Sequence, residues 1–377
     1  MIKDDSKRQL LTRSLRLAAL LALPSWGMRS SFADEFEDYK LDLNKGLFQQ
    51  ANEFSQYKKK YQAAYRAYQA EIVQFWSEVE VSGRKTWVDY SPAMDVKRVV
   101  DFNKNEIRIS IQGDALKGFS PADTEREILA TLMADIDQAY RTDPILSKTI
   151  GPKPPGSNIS VLGIAADMAK SMRNRASLQR KPGKQGQMLT IIAKFPDNSL
   201  AKRAYGYVAE VQKAASRWQV PAPLVLAVID TESSFNPMAR SHVPAFGLMQ
   251  IVPKSAGRDA SRLVFGRERL LTGVDLYNPS TNIQLGAAYL HLLDSRYLKG
   301  IKDPKSRQLC VIAAYNTGAG NVAWAFTGTK SIKKALPLIN RLSSKQVYAH
   351  LRSNLKYKEA REYVQKVTRA LPLYSYA

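Results

Sequence analysis

With 377 residues, 45% of them hydrophobic and 24% charged, the chain is longer than an ordinary single domain of roughly 100–200 residues and too apolar to be disordered, so two domains with real cores are expected. The formal net charge of +22 is uneven: residues 200–377 carry 26 Lys/Arg against 10 Asp/Glu, whereas residues 34–199 carry 24 against 22. A half this basic is expected to meet a polyanion or an anionic surface, the plainer reading being solubility or adhesion to an outer surface. One cysteine, Cys310, excludes an intrachain disulfide and reads as a buried, inert thiol. His242, His291 and His350 are scattered and no CxxC pattern occurs, so neither a metal nor another cofactor is expected.

Taken in order, the chain begins like an export signal. Lys3, Lys7, Arg8, Arg13 and Arg16 precede a short apolar run, Leu17 to Leu23, too short to span a bilayer, and Ser31-Phe32-Ala33 fits a small-x-small cleavage site. Residues 1–33 are therefore expected to be removed, with a periplasmic mature chain starting near Asp34; an amphipathic first helix is the alternative. Ser6-Lys7-Arg8-Gln9-Leu10-Leu11 faintly resembles a twin-arginine signal with Lys in the first slot. No other stretch is long and apolar enough for a transmembrane helix.

From Glu35 to Trp76 one or two long helices are expected, with Tyr57, Tyr61, Tyr65 and Tyr68 recurring at helical spacing as a packing stripe. Strands follow at Thr86–Tyr90, Arg98–Phe102 and Glu106–Gln112, with Asn103-Lys104-Asn105 as a hairpin turn. Ser120 is expected to cap a helix that has Pro121 at its first position and runs to about Tyr140. The proline-rich segment Gly151–Gly156 reads as a loop, Ile164–Ser177 as a helix, Arg180–Gly186 as a basic Gly/Pro stretch and Met188–Phe195 as a strand. Residues 34–199 thus form a mixed α+β region with no catalytic signature.

After Pro196-Asp197-Asn198-Ser199 the character changes to helices joined by short loops. They are expected at Ala201–Trp218, Leu224–Ser233 (started by Pro221 and Pro223), Pro279–Tyr297 (capped by Asn278 or Ser280), Arg307–Asn316, Lys345–Ser353 and Lys358–Leu371. Residues 200–377 therefore read as all-α, and the chain as α+β overall.

One carboxylate in this half stands in an unusual place. Three, four and seven residues before Glu232 come Ile229, Val228 and Val225, which share its helix face. A carboxyl group so placed loses hydration, which disfavours its charged form and raises its pKa, as a general acid near neutral pH requires. Asp230 points about 200° around the helix and does not share the site. From the helix alone, an ordinary helix-end carboxylate stays an open reading. Ser233-Ser234-Phe235-Asn236-Pro237 then ends the helix and leaves Glu232 at its mouth.

Downstream stand Gly247-Leu248-Met249-Gln250, Ala313-Ala314-Tyr315-Asn316-Thr317-Gly318-Ala319-Gly320 and Ala360-Arg361-Glu362-Tyr363-Val364. In this order these motifs resemble the catalytic domain of the lytic transglycosylases of the soluble-lytic, lysozyme-like superfamily, over roughly Ala204 to Leu371. The preceding block resembles, more loosely, the N-terminal domain of the membrane-bound lytic murein transglycosylase C family. The resemblance implies that Glu232 is the single catalytic acid/base. It also implies that Ser241 hydrogen-bonds near it, that Met249 and Gln250 line the groove, that Tyr315 and Asn316 lie beside the acid and the sugar's N-acetyl group, and that Tyr363 closes the site. Two departures stand out: the slot two residues after Ser241, often a second serine, is Val243, and no cysteine follows the apolar run to carry the lipid that this family often bears.

The implied substrate is the glycan strand of peptidoglycan, cut between N-acetylmuramic acid and N-acetylglucosamine with closure of a 1,6-anhydro ring, with the outer-membrane surface or other cell-wall enzymes as further partners. Two-carboxylate glycosidases need a second Asp or Glu within roughly 5–9.5 Å of the acid, and the resemblance assigns that role to no residue besides Glu232. The rival readings are a lysozyme-type hydrolase of the same fold and a non-catalytic wall-binding protein. Nucleic-acid binding by the basic half is opposed by the export signal.

Overall fold

A computed structural model describes residues 55–377 apart from 57, 150–153, 242–244, 254–255 and 270, and the side chains of 147 and 148. The expected export signal, the helical stretch before residue 55, Tyr57, residues 151–153 of the expected loop, His242 and Val243 lie outside the described residues. The first helix, α1 (58–75), buries Tyr61, Tyr68 and Ile72 along one face and leaves Tyr65 half-buried, so its aromatic stripe is packing. Tyr61 meets Phe246 edge-on with ring centroids 6.0 Å apart, and Tyr68 meets Tyr90 at 6.1 Å.

Among the described residues five antiparallel strands follow, in the order β1-β2-β3-β5-β4. The strands β1 (Thr86–Tyr90), β2 (Val96–Asp101) and β3 (Glu106–Gln112) form the expected meander, with Val100 opposite Ile107. The turn after β2 is set by Asp101, whose Oδ1 accepts the amide hydrogens of Asn103 (3.0 Å) and Lys104 (2.8 Å). The strand β5 (Gly186–Lys194) lies inside the sheet against β3, with Ile109 opposite Ile191. The basic Gly/Pro stretch turns out to be strand as well: β4 (Ser177–Gly183) is the edge, paired with β5 alone. An edge tolerates Pro182, which has no N–H to donate, and Arg180 and Lys181 discourage another chain from adding to it.

The helix expected from Pro121 to Tyr140 is in fact two, α2 (Pro121–Met133) and α3 (Ile136–Thr142). The chain leaves the first helix because the Ala134 carbonyl accepts the Val161 amide hydrogen (2.9 Å) and Asp135 bridges to Ser160. Asp135 then caps α3 through its Oδ1, which accepts the Gln138 amide hydrogen at 2.7 Å. Beyond the short α4 (Pro144–Thr149), α5 (Met168–Asn174) is shorter than expected, since Ser177 already belongs to β4.

Among the described residues after β5 there are helices and isolated bridges but no further strand, which gives α+β overall with a helical second half, as expected. The single helix expected over 201–218 is interrupted at Gly206 into α6 (Ser199–Tyr205) and α7 (Val208–Trp218). The centre of this half is α8 (Ala222–Ser233). Leu224 to Ile229 and Thr231 to Ser233 are all buried, so it is enclosed on every side. Around it come α9 (Ala256–Phe265), α10 (Gly273–Tyr277), α11 (Pro279–Leu292), α12 (Pro304–Thr317), α13 (Ala319–Thr327), α14 (Ile332–Ile339), α15 (Ser344–Asn354) and α16 (Lys358–Ala370). Asn278 caps α11, accepting the Thr281 amide hydrogen at 3.0 Å, and the helix passes into a π turn over Leu293–Tyr297. Of these helices, α9, α10, α13 and α14 are not among those expected from the sequence.

Candidate active site

The helix α8 ends abruptly. Ser234 and Phe235 both adopt left-handed backbone angles, with φ of 52° and 63°, a costly choice for two successive non-glycine residues. It persists because the surroundings fix both. Ser234 N–H closes on the Asp230 carbonyl at 2.9 Å, and the Phe235 ring stacks on Tyr207 at 6.3 Å. Glu232 is thereby placed in the last turn, with 5% of its surface exposed.

Its environment explains its chemistry. Burial raises the carboxyl from its ordinary value to about 6, and nearby Glu359 adds to the rise, while Arg84 and the Tyr363 hydroxyl oppose it. Arg84 donates from Nη2 to Glu232 Oε2 at 2.7 Å, from Nε to the Glu232 carbonyl at 3.3 Å and from Nη1 to Glu359 Oε1 at 2.9 Å. The Tyr363 hydroxyl is buried beside the carboxyl. Burial first, and Glu232 next, push the hydroxyls of Tyr315 and Tyr363 well above the ordinary phenol range.

The Gly-Leu-Met-Gln segment is a turn wedged under this helix end. Gly247 takes φ +71°, and a side chain there would collide with the Leu276 carbonyl and the Asn282 amide. Asn282 holds the turn: its Oδ1 accepts the Met249 amide hydrogen at 2.8 Å, and its Nδ2 donates to the carbonyls of Phe246 (2.9 Å) and Leu276 (2.8 Å). Ser233 Oγ joins the helix end to the turn by donating to the Leu248 carbonyl at 2.8 Å.

The site residues read from the sequence fall as follows. Tyr315, at the end of α12, donates its hydroxyl to the Met249 carbonyl at 2.9 Å. The Met249 side chain is fully buried and packs on Gly286 of α11; its carbonyl is what it turns to Tyr315. Gln250 has φ +47°, donates from Nε2 to the Gly247 carbonyl at 3.0 Å, and keeps a buried Oε1 without a hydrogen-bond donor. Asn316 is half-buried next to Tyr315. Ser241 lies in the wall of a cavity of about 490 Å³ that Arg84, Arg240, Tyr61, Tyr65 and Glu80 also line. Thus Glu232, Tyr315 and Tyr363 come together, with Met249 and Gln250 beneath them and Ser241 on the Arg84 side.

Three residues around the site escaped the sequence reading. Asn282 is an unremarkable polar residue on a helix. Glu359 precedes the Ala-Arg-Glu-Tyr-Val motif by one position, and it amends the view that no second carboxylate accompanies Glu232. Arg84 lies 148 residues from Glu232, in the region that carried no catalytic signature.

Residues 210–336 match the family model for the transglycosylase SLT domain. Over 80% of its length the chain is 35% identical to membrane-bound lytic murein transglycosylase C of Histophilus somni, spanning 84% of that protein. Over 79% of its length it is 33% identical to the same enzyme of Salmonella arizonae, again spanning 84%. Among solved structures, an inactive variant of lytic transglycosylase Slt from Pseudomonas aeruginosa aligns at 28% identity and a TM-score of 0.35, over 45% of this chain and 24% of that one. The chain belongs to the lytic murein transglycosylases, in the family of membrane-bound lytic murein transglycosylase C.

Proposed function

We propose that this chain cuts the β-1,4 bond between N-acetylmuramic acid and N-acetylglucosamine in peptidoglycan, with Glu232 as the sole acid/base and a 1,6-anhydromuramoyl end as product. The observation that carries this reading is a buried carboxyl held at about 6, poised to give and take a proton near neutral pH. Protonated Glu232 donates to the bridging oxygen, and the bond from C1 to that oxygen breaks, leaving an oxocarbenium-like sugar. The carboxylate then takes the proton of the C6 hydroxyl, whose oxygen bonds to C1. Glu232 ends protonated, and no water is consumed.

In this reading Tyr315 and Asn316 flank the acid and the N-acetyl group, Tyr363 closes the site, and Ser241, Met249 and Gln250 shape the groove. Residues 200–377 form the catalytic domain, and residues 34–199 a domain that completes it. The excess of 26 Lys/Arg over 10 Asp/Glu in the catalytic half suits a glycan that bears lactyl-peptide carboxylates. The setting is the periplasm, where wall turnover or remodelling takes place. Among the described residues no helix is long and apolar enough to cross a membrane.

Mass spectrometry of digested murein tests the reaction. Termini lighter by one water are expected, and ordinary reducing ends would overturn the anhydro product. In the same assay Glu232→Gln is expected to abolish lysis while leaving wall binding. The carboxylate of Glu359 on the far side of Arg84 favours one competing reading, a two-carboxylate hydrolase. Glu359→Gln separates them: it is expected to keep the anhydro product, whereas loss of turnover in that variant would favour hydrolysis.

A further inference from the structure

Arg84 stands on an anchored strap. Gly83 N–H closes a tight turn on the Thr86 carbonyl at 2.9 Å. Arg240 donates its amide hydrogen to the Gly83 carbonyl and its Nε hydrogen to the Ser82 carbonyl, both at 3.2 Å. Asn236 Nδ2 donates to the carbonyls of Arg84 (3.3 Å) and Thr86 (3.4 Å), and Lys85 Nζ to that of Asp230 (3.4 Å). The segment just after the Glu232 helix therefore grips the backbone on both sides of Arg84. From this base the guanidinium reaches both the carboxylate and the main-chain carbonyl of Glu232.

The chemistry gives such a cation a task. An acid/base that works alone spends the interval between its two proton transfers as a carboxylate, in a place where it is almost wholly out of water. A buried carboxylate without a partner is costly to form. The groups that face Glu232 are Arg84, Tyr363, Tyr315 and Glu359, with Lys85 behind Arg84. Of these Arg84 alone touches the carboxylate with a positive charge, and its planar fork fixes the carboxyl's orientation as well.

We propose that Arg84 is a positioning residue of the acid/base cycle: it orients the Glu232 carboxyl and stabilises the carboxylate that exists between protonation of the bridging oxygen and capture of the C6 proton. The catalytic centre is then shared between the sheet-bearing and helical parts of the chain. This rests on the assignment of Glu232 as the acid/base.

The test measures kcat and KM on murein from pH 4 to 9 with the full chain carrying Arg84→Gln or Arg84→Lys, with Glu232→Gln as control and thermal melts to verify folding. Gln keeps a donor but removes the charge. Its high-pH limb is expected to move upward, and kcat to fall by up to roughly 100-fold, the scale of misplacing a catalytic group by about 1 Å, with KM nearly unchanged. Lys keeps the charge, and its limb is expected to stay near that of the unmodified chain. An Arg84→Gln limb that does not move, or turnover equal to that of the unmodified chain, would overturn the proposal. Lysis retained in Glu232→Gln would instead remove the assignment on which it rests.

Discussion

At the scale of single residues, the proton on Glu232, the proposed acid, is expected to set the working pH. A general acid is useful only while protonated, so kcat on murein is expected to fall as pH rises through about 6. The same shift bears on stability. The folded carboxyl binds its proton more tightly than the unfolded one, whose ordinary value is 4.5. The contribution of Glu232 to stability is therefore fully present below that value, and about 2 kcal/mol of it is lost as pH rises through 6. Glu232→Gln escapes that loss and is expected to melt above the unmodified chain at pH 8 but not at pH 4. Cys310 is buried with its thiol pushed up to about 12, so a thiol-reactive dye is expected to label it only in denaturant. The burial of Glu232 was legible in the sequence from three apolar residues on its own helix face, whereas its proposed role was read from the motifs that follow it. Arg84 was not, because only the folded chain brings residue 84 to residue 232.

At the scale of elements, helix α11 supports the site through Asn282, which holds the turn, and through a missing side chain. Gly286 leaves the space that the Met249 side chain fills, and Met249 in turn offers its carbonyl to Tyr315. Gly286→Ala is expected to cost about 1–3 kcal/mol by overpacking and to weaken turnover by displacing Tyr315. Denaturant melts and kcat on murein would check both effects. The meander over residues 86–112 was legible because alternating β-branched runs and an Asx-type turn are local signals. The break at Ala134–Asp135 was not, because its cause is a strand-like bridge to Ser160, which sits on a separate segment. The edge strand β4 was obscured by Pro182 and Gly183, which are tolerated there only because β4 has one neighbour.

Across the whole molecule, the sheet-bearing and helical parts are joined by a buried ion pair, Arg240 Nη1 with Asp143 Oδ2 at 2.7 Å, whose side chains are 2% and 6% exposed. Asp143 also accepts the amide hydrogens of Ile145 and Leu146 through Oδ1. Removing one partner leaves the other charge buried and unpaired, so Asp143→Ala is expected to cost about 3–5 kcal/mol in a denaturant titration. Because Arg240 also holds the strap of Arg84, the same variant is expected to lose turnover in the fraction that remains folded. Length and charge led to the expectation of two domains and a basic second half, yet no local pattern could say that Arg84 would meet Glu232.

The order in which the chain is made gives this arrangement a temporal meaning. Arg84 emerges early, Glu232 midway and Tyr363 late, so the groups that surround the acid meet only once α16 has docked. A lytic enzyme carries an obvious hazard for the cell that makes it. Here a chain cut short before α16 lacks both Glu359 and Tyr363, and its capacity to damage the wall is expected to arise only with completion of the fold.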